Sequence, residues 1–170
     1  MGNDFKVWMS QTEIDMIESY LKPDFLMLEW GCGGSTFHFS QFVEKYYSVE
    51  HHEKWFGKVK PETNGRNISL HFVRGLPQGP GVWPDGNNYE EYVRCPLNFG
   101  LKFDVVLVDG RQRSDCLSFA ADKLLHEDSV VFIHDFWKRS RYHEAVRTHY
   151  NIIDFVSKGQ SLAVLKKKKI

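Results

Sequence analysis

Short apolar runs alternate with segments of helical periodicity along most of this chain. Runs of this length are typical of buried strands, and the spacing of apolar residues between them is typical of amphipathic helices. The pattern predicts strands over 25–29, 46–50, 68–73, 103–110 and 129–134, then a hairpin over 152–157 and 161–166. Five strand–helix units closed by an antiparallel hairpin predict a doubly wound α/β sheet.

Helix signals fall between these strands. Ser10 and Glu13 have the spacing of a capping box, and we expect the helix that follows to end at Pro23. Further helices are predicted over 37–43, 52–60, 88–95, 114–126 and 140–150. The segment 75–88 is rich in glycine and proline, which excludes long regular structure. We therefore treat residues 75–100 as an irregular loop that covers a substrate.

The most informative segment joins the first strand to a glycine-rich turn. The apolar run that begins at Phe25 ends in Glu29, and Gly31, Gly33 and Gly34 follow directly. Glycine lets the backbone approach a ligand, and the next helix offers unpaired N–H groups. A dinucleotide-binding turn has a third glycine where this chain has Thr36, so that fingerprint is incomplete. An acid before the turn suits a ligand that carries an ammonium group.

These residues resemble the first motif of class I S-adenosylmethionine (SAM)-dependent methyltransferases, a strand that ends in an acid followed by spaced glycines. Three segments also resemble a small group of methyltransferase-like proteins: Gly-Gly-Ser-Thr at 33–36, Ser-Val-Glu at 48–50 and Val-Asp-Gly-Arg at 108–111. The resemblance implies one SAM-binding domain over 1–170. It also implies a Rossmann-like sheet of seven strands in the order 3-2-1-4-5-7-6, with the seventh strand antiparallel.

Acids end four of the predicted parallel strands, and the carboxyl ends of such strands meet at one crevice. Glu50 lies 21 positions after Glu29 and suits a ribose diol, whereas His51 either lies against adenine or is an exposed residue at a helix start. The resemblance implies cofactor binding by Glu29, Gly31, Gly33, Gly34, Ser35, Thr36, Glu50, His51 and Asp109.

Asp109, His134 and Asp135 are the predicted catalytic residues. Asp109 is expected to act as a base or to orient the acceptor, and His134 has the unperturbed pKa that better suits a base. An acidic and imidazole rim favours O-methylation. The same three residues offer two oxygens and one nitrogen, too few to specify a metal, so no metal is predicted.

Basic and aromatic residues follow the fourth and fifth strands. We predict that Arg111, Arg113, Trp137 and Arg141 bind the acceptor. The positive charge of the arginines indicates that this acceptor is a small anion. A solvated surface is the alternative for the arginines, and core packing is the alternative for the tryptophan.

Composition narrows the function classes. The chain has 170 residues with 22 basic and 22 acidic side chains, and this balance argues against a nucleic-acid partner. The three cysteines have no metal-ligand spacing and are expected to be free thiols in the cytoplasm. Neither a signal segment nor a membrane span is expected. The sequence leaves open whether the protein forms a homo-oligomer.

Two other functions remain open at this point. One is a different SAM-using enzyme that transfers an aminopropyl group or acts as a lyase. The other is a non-catalytic module that binds SAM or another nucleoside, because a fold alone does not establish activity.

Overall fold

The computed structural model of the protein describes residues 5–77, 87–137, 139–157 and 161–169. Seven strands form the main sheet: β1 Leu26–Trp30, β2 Lys45–Glu50, β3 Ile68–Phe72, β4 Phe103–Val108, β5 Leu125–His134, β6 Tyr150–Val156 and β7 Leu162–Lys167. Six α-helices accompany them: α1 Gln11–Glu18, α2 Gly34–Phe39, α3 Glu53–Val59, α4 Glu90–Arg94, α5 Arg113–Phe119 and α6 His143–His149.

The strand order is 3-2-1-4-5-7-6, and the predicted fold is confirmed. Strands β3, β2, β1, β4 and β5 pair in parallel, and β7 runs antiparallel to both β5 and β6. The order reverses between β1 and β4, so a crevice opens beyond their carboxyl ends. This is where ligands bind in open sheets of this kind.

Core packing follows the alternation of side chains along the central strands. Leu28, Trp30, Val106 and Val108 belong to one buried layer, whereas Met27, Val105 and Leu107 belong to the other. Both layers are covered by helices, which explains why these strands are continuous apolar runs. The carboxyl ends of the strands are therefore held by a rigid core.

Several boundaries differ from the sequence prediction. Helix α1 begins at the predicted capping box but ends at Glu18, well before Pro23. Strand β5 begins at Leu125 rather than 129, directly after a single π turn over Ala120–Leu124 that follows helix α5. Local periodicity does not reveal such a turn.

The segment predicted as an irregular loop, 75–100, is only partly irregular. Leu76–Pro77 pairs with Asn87–Asn88, and α4 follows at Glu90–Arg94. Tyr89 and Tyr92 are buried in the core beside Trp30, so residues 87–100 are not a free cover. The rest of the predicted loop, 78–86, lies outside the described residues.

The N-terminal segment before α1 crosses over the glycine-rich turn. A Cβ placed on Gly34 would lie 2.3 Å from the carbonyl oxygen of Lys6 and 2.5 Å from the nitrogen of Val7. The absence of a side chain therefore permits this close crossing. Among the described helices, none has the length and apolar character that a bilayer crossing requires.

Candidate functional site

A cavity of about 670 Å³ opens at the switch point of the sheet. The ends of β1, β2 and β4 contribute Glu29, Gly31, Glu50 and Asp109 to its wall. The wall also contains Arg111, Arg113, Arg139, Arg141 and Tyr142. The structure thus brings most of the predicted residues, both acids and arginines, to one cavity.

The glycine-rich turn places backbone at the cavity wall. Gly31 has a φ of +112°, a backbone conformation that residues with a side chain rarely adopt. Its N–H donates to the carbonyl of Val49 at 2.9 Å. The Ser48 hydroxyl donates to the carbonyl of Gly31 at 2.5 Å. The turn is therefore tied to β2 from both sides.

Glu29 is buried beneath this turn. Its carboxylate accepts hydrogen bonds from Ser35 Oγ at 2.5 Å, Thr36 Oγ1 at 2.6 Å and Tyr46 Oη at 3.1 Å. Burial raises the pKa of Glu29 to about 8, although the hydroxyl donors oppose this shift. The carboxyl group faces a cavity in which a cation would favour its ionised form.

These contacts give two predicted cofactor residues a different task. Thr36 is fully buried and accepts the Gly33 N–H at 2.9 Å while donating to Glu29, so it has no surface for a cofactor. Ser35 lines the cavity but also donates to Glu29. Tyr46 was missed by sequence analysis, because its position two residues into β2 resembles that of any buried aromatic residue.

Glu50 ends β2 and is also buried. Its Oε1 accepts the N–H groups of His51 at 2.8 Å and His52 at 2.6 Å, and its Oε2 accepts that of Cys32 at 3.1 Å. Burial alone would raise the pKa of Glu50, but these donors and the adjacent His51 ring hold it below its ordinary value. Glu50 is therefore a stable anion at the cavity wall.

His51 lines the cavity beside Glu50. Its ring packs edge-on against Tyr89 at 5.4 Å and Tyr92 at 5.6 Å between centroids, and its Nδ1 lies 3.0 Å from Glu50 Oε1. Both tyrosines are buried. The imidazole is thus held in one orientation rather than exposed at a helix start.

Asp109, His134 and Asp135 converge where β4 and β5 end. His134 Nδ1 lies 3.0 Å from Asp109 Oδ1, and His134 is buried behind Asp109. Burial lowers the pKa of His134, but Asp109, with help from Asp135 and Glu13, outweighs that effect and raises it. Asp109 lines the cavity, whereas His134 lies behind this wall and contacts it through the Asp109 carboxylate.

Arg113 connects these strand ends. Its Nε donates to the carbonyl of Gly110 at 3.0 Å, and its terminal nitrogens donate to the carbonyls of His134 at 2.5 Å and Asp109 at 3.0 Å. The same nitrogens pair with the carboxylates of Asp109 at 3.1 Å and Asp135 at 3.3 Å. Three of the five N–H donors of the guanidinium are thus used in hydrogen bonds to backbone carbonyls at the ends of β4 and β5, and its charge is paired with two carboxylates.

The occupied donors favour a positioning task for Arg113 over the predicted acceptor binding. The contacts of Arg113 also affect metal binding. Possible ligand atoms of Asp109, His134 and Asp135 lie within 4.8 Å of one another. The Arg113 guanidinium already contacts both of these aspartates, so its positive charge would compete with a metal ion for them. The backbone here is strained, because Gln112 and Asp135 have positive φ angles of 49° and 58°.

Trp137, a predicted acceptor residue, lies away from the cavity. Its ring packs edge-on against Phe155 at 5.4 Å and Phe136 at 4.9 Å, on the side of the β6–β7 hairpin. Its position follows from the direction of the chain after β5, which sequence alone does not give.

A second cavity of about 330 Å³ lies beside the first and shares Cys32, Ser35, Trp55 and Asp109 with it. The remaining wall consists of Lys6, Trp8, Met9, Gly33 and Gly34. Gly33 and Gly34 thus face this second cavity rather than the first. Trp8 lies at the edge of this cavity and is 78% exposed. Sequence analysis did not identify it as a cavity residue, because the N-terminal segment is irregular.

Comparison with known proteins adds structural neighbours only. No protein-family model and no curated protein sequence matches the chain. A methyltransferase-like protein (spo2022) from Silicibacter pomeroyi is similar with a TM-score of 0.67 and 21% identity over 97% of this chain and 90% of that one. SMU.1697c from Streptococcus mutans, solved in complex with SAH, has a TM-score of 0.63 and 10% identity over 95% and 100% of the two chains.

The precorrin 8W decarboxylase of Methanobacterium thermoautotrophicum is also similar, with a TM-score of 0.65 and 13% identity over 99% of this chain and 100% of that one. Identities this low establish a shared fold and no more. Since one fold carries several activities, the function has to be argued from the site.

Proposed function

We propose that the protein transfers the methyl group of SAM to an oxygen atom of a small anionic acceptor. One observation carries the proposal: a single cavity is lined by Glu29 and Glu50 at the ends of β1 and β2, by Asp109 after β4, and by several arginines. A cationic amino acid linked to a nucleoside complements the acids, and an anion complements the arginines.

The acidic residues and the glycine-rich turn of the cavity fit this cofactor. Gly31 has no side chain where a Cβ would lie 3.5 Å from the Asp109 backbone, so a ligand has close access to the turn. Glu50 is an anion with one N–H donor on Oε2 among the described residues, which leaves this oxygen able to accept from a ribose hydroxyl. Glu29 would contact the ammonium group, and His51 would lie against the adenine.

The arginines of the cavity fit an acceptor with a carboxylate or phosphate. Arg111, Arg139 and Arg141 line the cavity, and Arg141 lies over the ring of Tyr142 at 5.2 Å. Guanidinium groups bind such anions through paired hydrogen bonds. Arg113 would contribute its charge while holding the ends of β4 and β5 in place.

SAM supplies a methyl group that its sulfonium already activates, so the protein mainly has to position the acceptor. Asp109 faces the cavity and would accept a hydrogen bond from the acceptor hydroxyl. As the methyl carbon leaves sulfur and bonds to this oxygen, Asp109 would receive the hydroxyl proton, with His134 hydrogen-bonded behind it. The products are the methyl ether or ester and SAH.

Calorimetry with SAM, SAH and NAD tests the cofactor. We expect SAM and SAH to bind and NAD not to bind, and we expect Glu50→Gln to lose most of this affinity. Glu53→Gln is the matched control, because Glu53 is exposed and pairs with Arg74 outside the cavity. Failure of the wild-type protein to bind either SAM or SAH rejects the proposal.

Product analysis separates methyl transfer from other SAM chemistry. After incubation with SAM and a panel of anionic hydroxyl compounds, we expect SAH to accumulate together with a methylated acceptor. Methylthioadenosine as the product would indicate aminopropyl transfer instead. SAM binding without turnover across the panel, combined with stable retention of another macromolecule, would indicate a binding module.

A further inference from the structure

Two buried polar atoms face each other between helix α1 and the end of β5. Glu13 Oε1 and His134 Nε2 are 3.7 Å apart, and neither has a hydrogen-bond partner among the described residues. Glu13 is fully buried, although it lies in the first turn of a helix. A buried carboxylate is costly unless a compensating charge is near.

The other carboxylate oxygen of Glu13 is already used. Glu13 Oε2 accepts the N–H of Ser10 at 2.8 Å, which is the bond that a capping box requires, and also the Ser10 hydroxyl at 2.8 Å. The cap fixes the side chain so that Oε1 points at the imidazole. The sequence pattern that identifies the cap therefore conceals a second task of the same residue.

His134 lies between two carboxylates. Its Nδ1 is 3.0 Å from Asp109 Oδ1, while its Nε2 faces Glu13. A neutral imidazole has one N–H, so each neutral tautomer would direct a lone pair at one of the two carboxylates. The imidazolium form donates toward both and satisfies the arrangement.

We infer that Glu13 is a positioning residue that holds His134 as an imidazolium, so that His134 fixes the Asp109 carboxylate at the cavity wall. The effect on the acceptor rests on the proposed function, whereas the charge state of His134 does not. Glu13 from α1 and Asp109 beyond β4 face the ring. Asp135 follows His134 in the chain, and Arg113 from α5 donates to the backbone carbonyl of His134.

The charges around His134 agree with this inference. Asp109, Asp135 and Glu13 each raise the pKa of His134 and together outweigh the lowering effect of burial. Arg113 is the nearby cation, and its charge is shared between the carboxylates of Asp109 and Asp135. These three carboxylates around the buried ring thus favour one further proton on it.

Nitrogen-15 NMR of the full-length protein labelled on histidine tests the inference directly. The chain has 8 histidines, and His134→Gln identifies the signals of this one. In the wild-type protein we expect both ring nitrogens to carry a proton at about pH 7, with a titration midpoint above the ordinary value of about 6.5. A neutral His134 at that pH overturns the inference, whether or not any variant folds.

Glu13→Gln isolates the charge. Glutamine can still cap α1 but has no negative charge, so we expect the His134 midpoint to fall by about one pH unit or more. Ser10→Ala is the matched control, because it removes a cap hydroxyl and keeps the Glu13 carboxylate. An unchanged midpoint in Glu13→Gln, or an equal fall in Ser10→Ala, contradicts the inference.

Kinetics then separate this inference from the proposed function. We expect Glu13→Gln to raise the KM for the acceptor and to displace its pH profile toward lower pH, with the Kd for SAM unchanged. If wild-type protein does not bind SAM, the proposed function fails while the NMR result stands. If SAM binds and the acceptor profile does not move, His134 is held by Glu13 without an effect on the acceptor, and the inferred positioning is wrong.

Discussion

The hydroxyl of Thr36 donates a 2.6 Å hydrogen bond to Oε2 of Glu29 and accepts the N–H of Gly33 at 2.9 Å. One side chain thus connects the end of β1, the glycine-rich turn and the start of α2. A third glycine at this position could not make either bond. The departure from the dinucleotide fingerprint therefore has a structural explanation.

Thr36→Val keeps the shape of this side chain and removes both bonds. We expect it to lower the free energy of unfolding by about 1–3 kcal/mol, since a buried N–H and a buried carboxylate each lose a partner. Urea denaturation measures the change. Thr148→Val is the control, because Thr148 is exposed and donates only to the Glu144 carbonyl; we expect its effect to stay within about 0.5 kcal/mol.

Glu29 should make stability depend on pH. Its pKa rises from 4.5 when free to about 8 in the fold, so over this interval the folded protein holds a proton that the unfolded chain has released. The resulting contribution is complete below the free pKa and is lost as the pH rises through about 8. Urea midpoints at several pH values should fall more steeply in wild type than in Glu29→Gln. Equal slopes would mean that Glu29 titrates normally.

Gly110 permits the close packing of α4 against the ends of β1 and β4. A Cβ at this position would lie 2.0 Å from the Tyr92 hydroxyl and 2.9 Å from the Trp30 carbonyl oxygen. We expect Gly110→Ala to destabilise the protein by about 1–3 kcal/mol, measured by thermal or urea unfolding.

Gly57→Ala is the matched control for Gly110→Ala. Gly57 lies within α3, and a Cβ there meets nothing within 4 Å. Alanine favours the helix by about 0.5–1 kcal/mol, so this variant should be more stable than wild type. Similar losses of stability in both variants would show that the limited space around Gly110 is not the cause of the loss in Gly110→Ala.

Gly34→Ala should displace the N-terminal segment. The added methyl group would overlap the backbone of Lys6 and Val7, which must move away from the turn. We expect trypsin to cleave after Lys6 faster than in wild type, with little change in cleavage elsewhere. An unaltered rate at this bond would mean that the segment already leaves the turn readily.

Arg113 and Arg141 should differ in their effects. Arg113 is 11% exposed and makes five contacts at the ends of β4 and β5, so Arg113→Gln should cost about 3–5 kcal/mol of stability. Arg141→Gln should leave stability near that of wild type and raise the KM for an anionic acceptor. Urea unfolding and steady-state kinetics separate the two outcomes. Equal stability losses would contradict the distinct tasks.

Much of the fold could be predicted from the sequence, because its signals are local. A buried parallel strand appears as a continuous apolar run, and the acid near its end marks where the strand reaches the edge of the sheet. Glu29, Glu50 and Asp109 were found in this way, and the structure brings all three to one cavity. Once several parallel strands are expected, their carboxyl ends must share one edge of the sheet.

The tasks of individual side chains were decided only by tertiary structure. Arg113 has the same local context as a surface arginine, yet its donors are used by β4 and β5. Glu13 and His134 are far apart in the chain, and only the docking of α1 brings their side chains together. Hydrogen bonds and charges act over a few ångströms in space, and sequence spacing gives such distances only within one helix or strand.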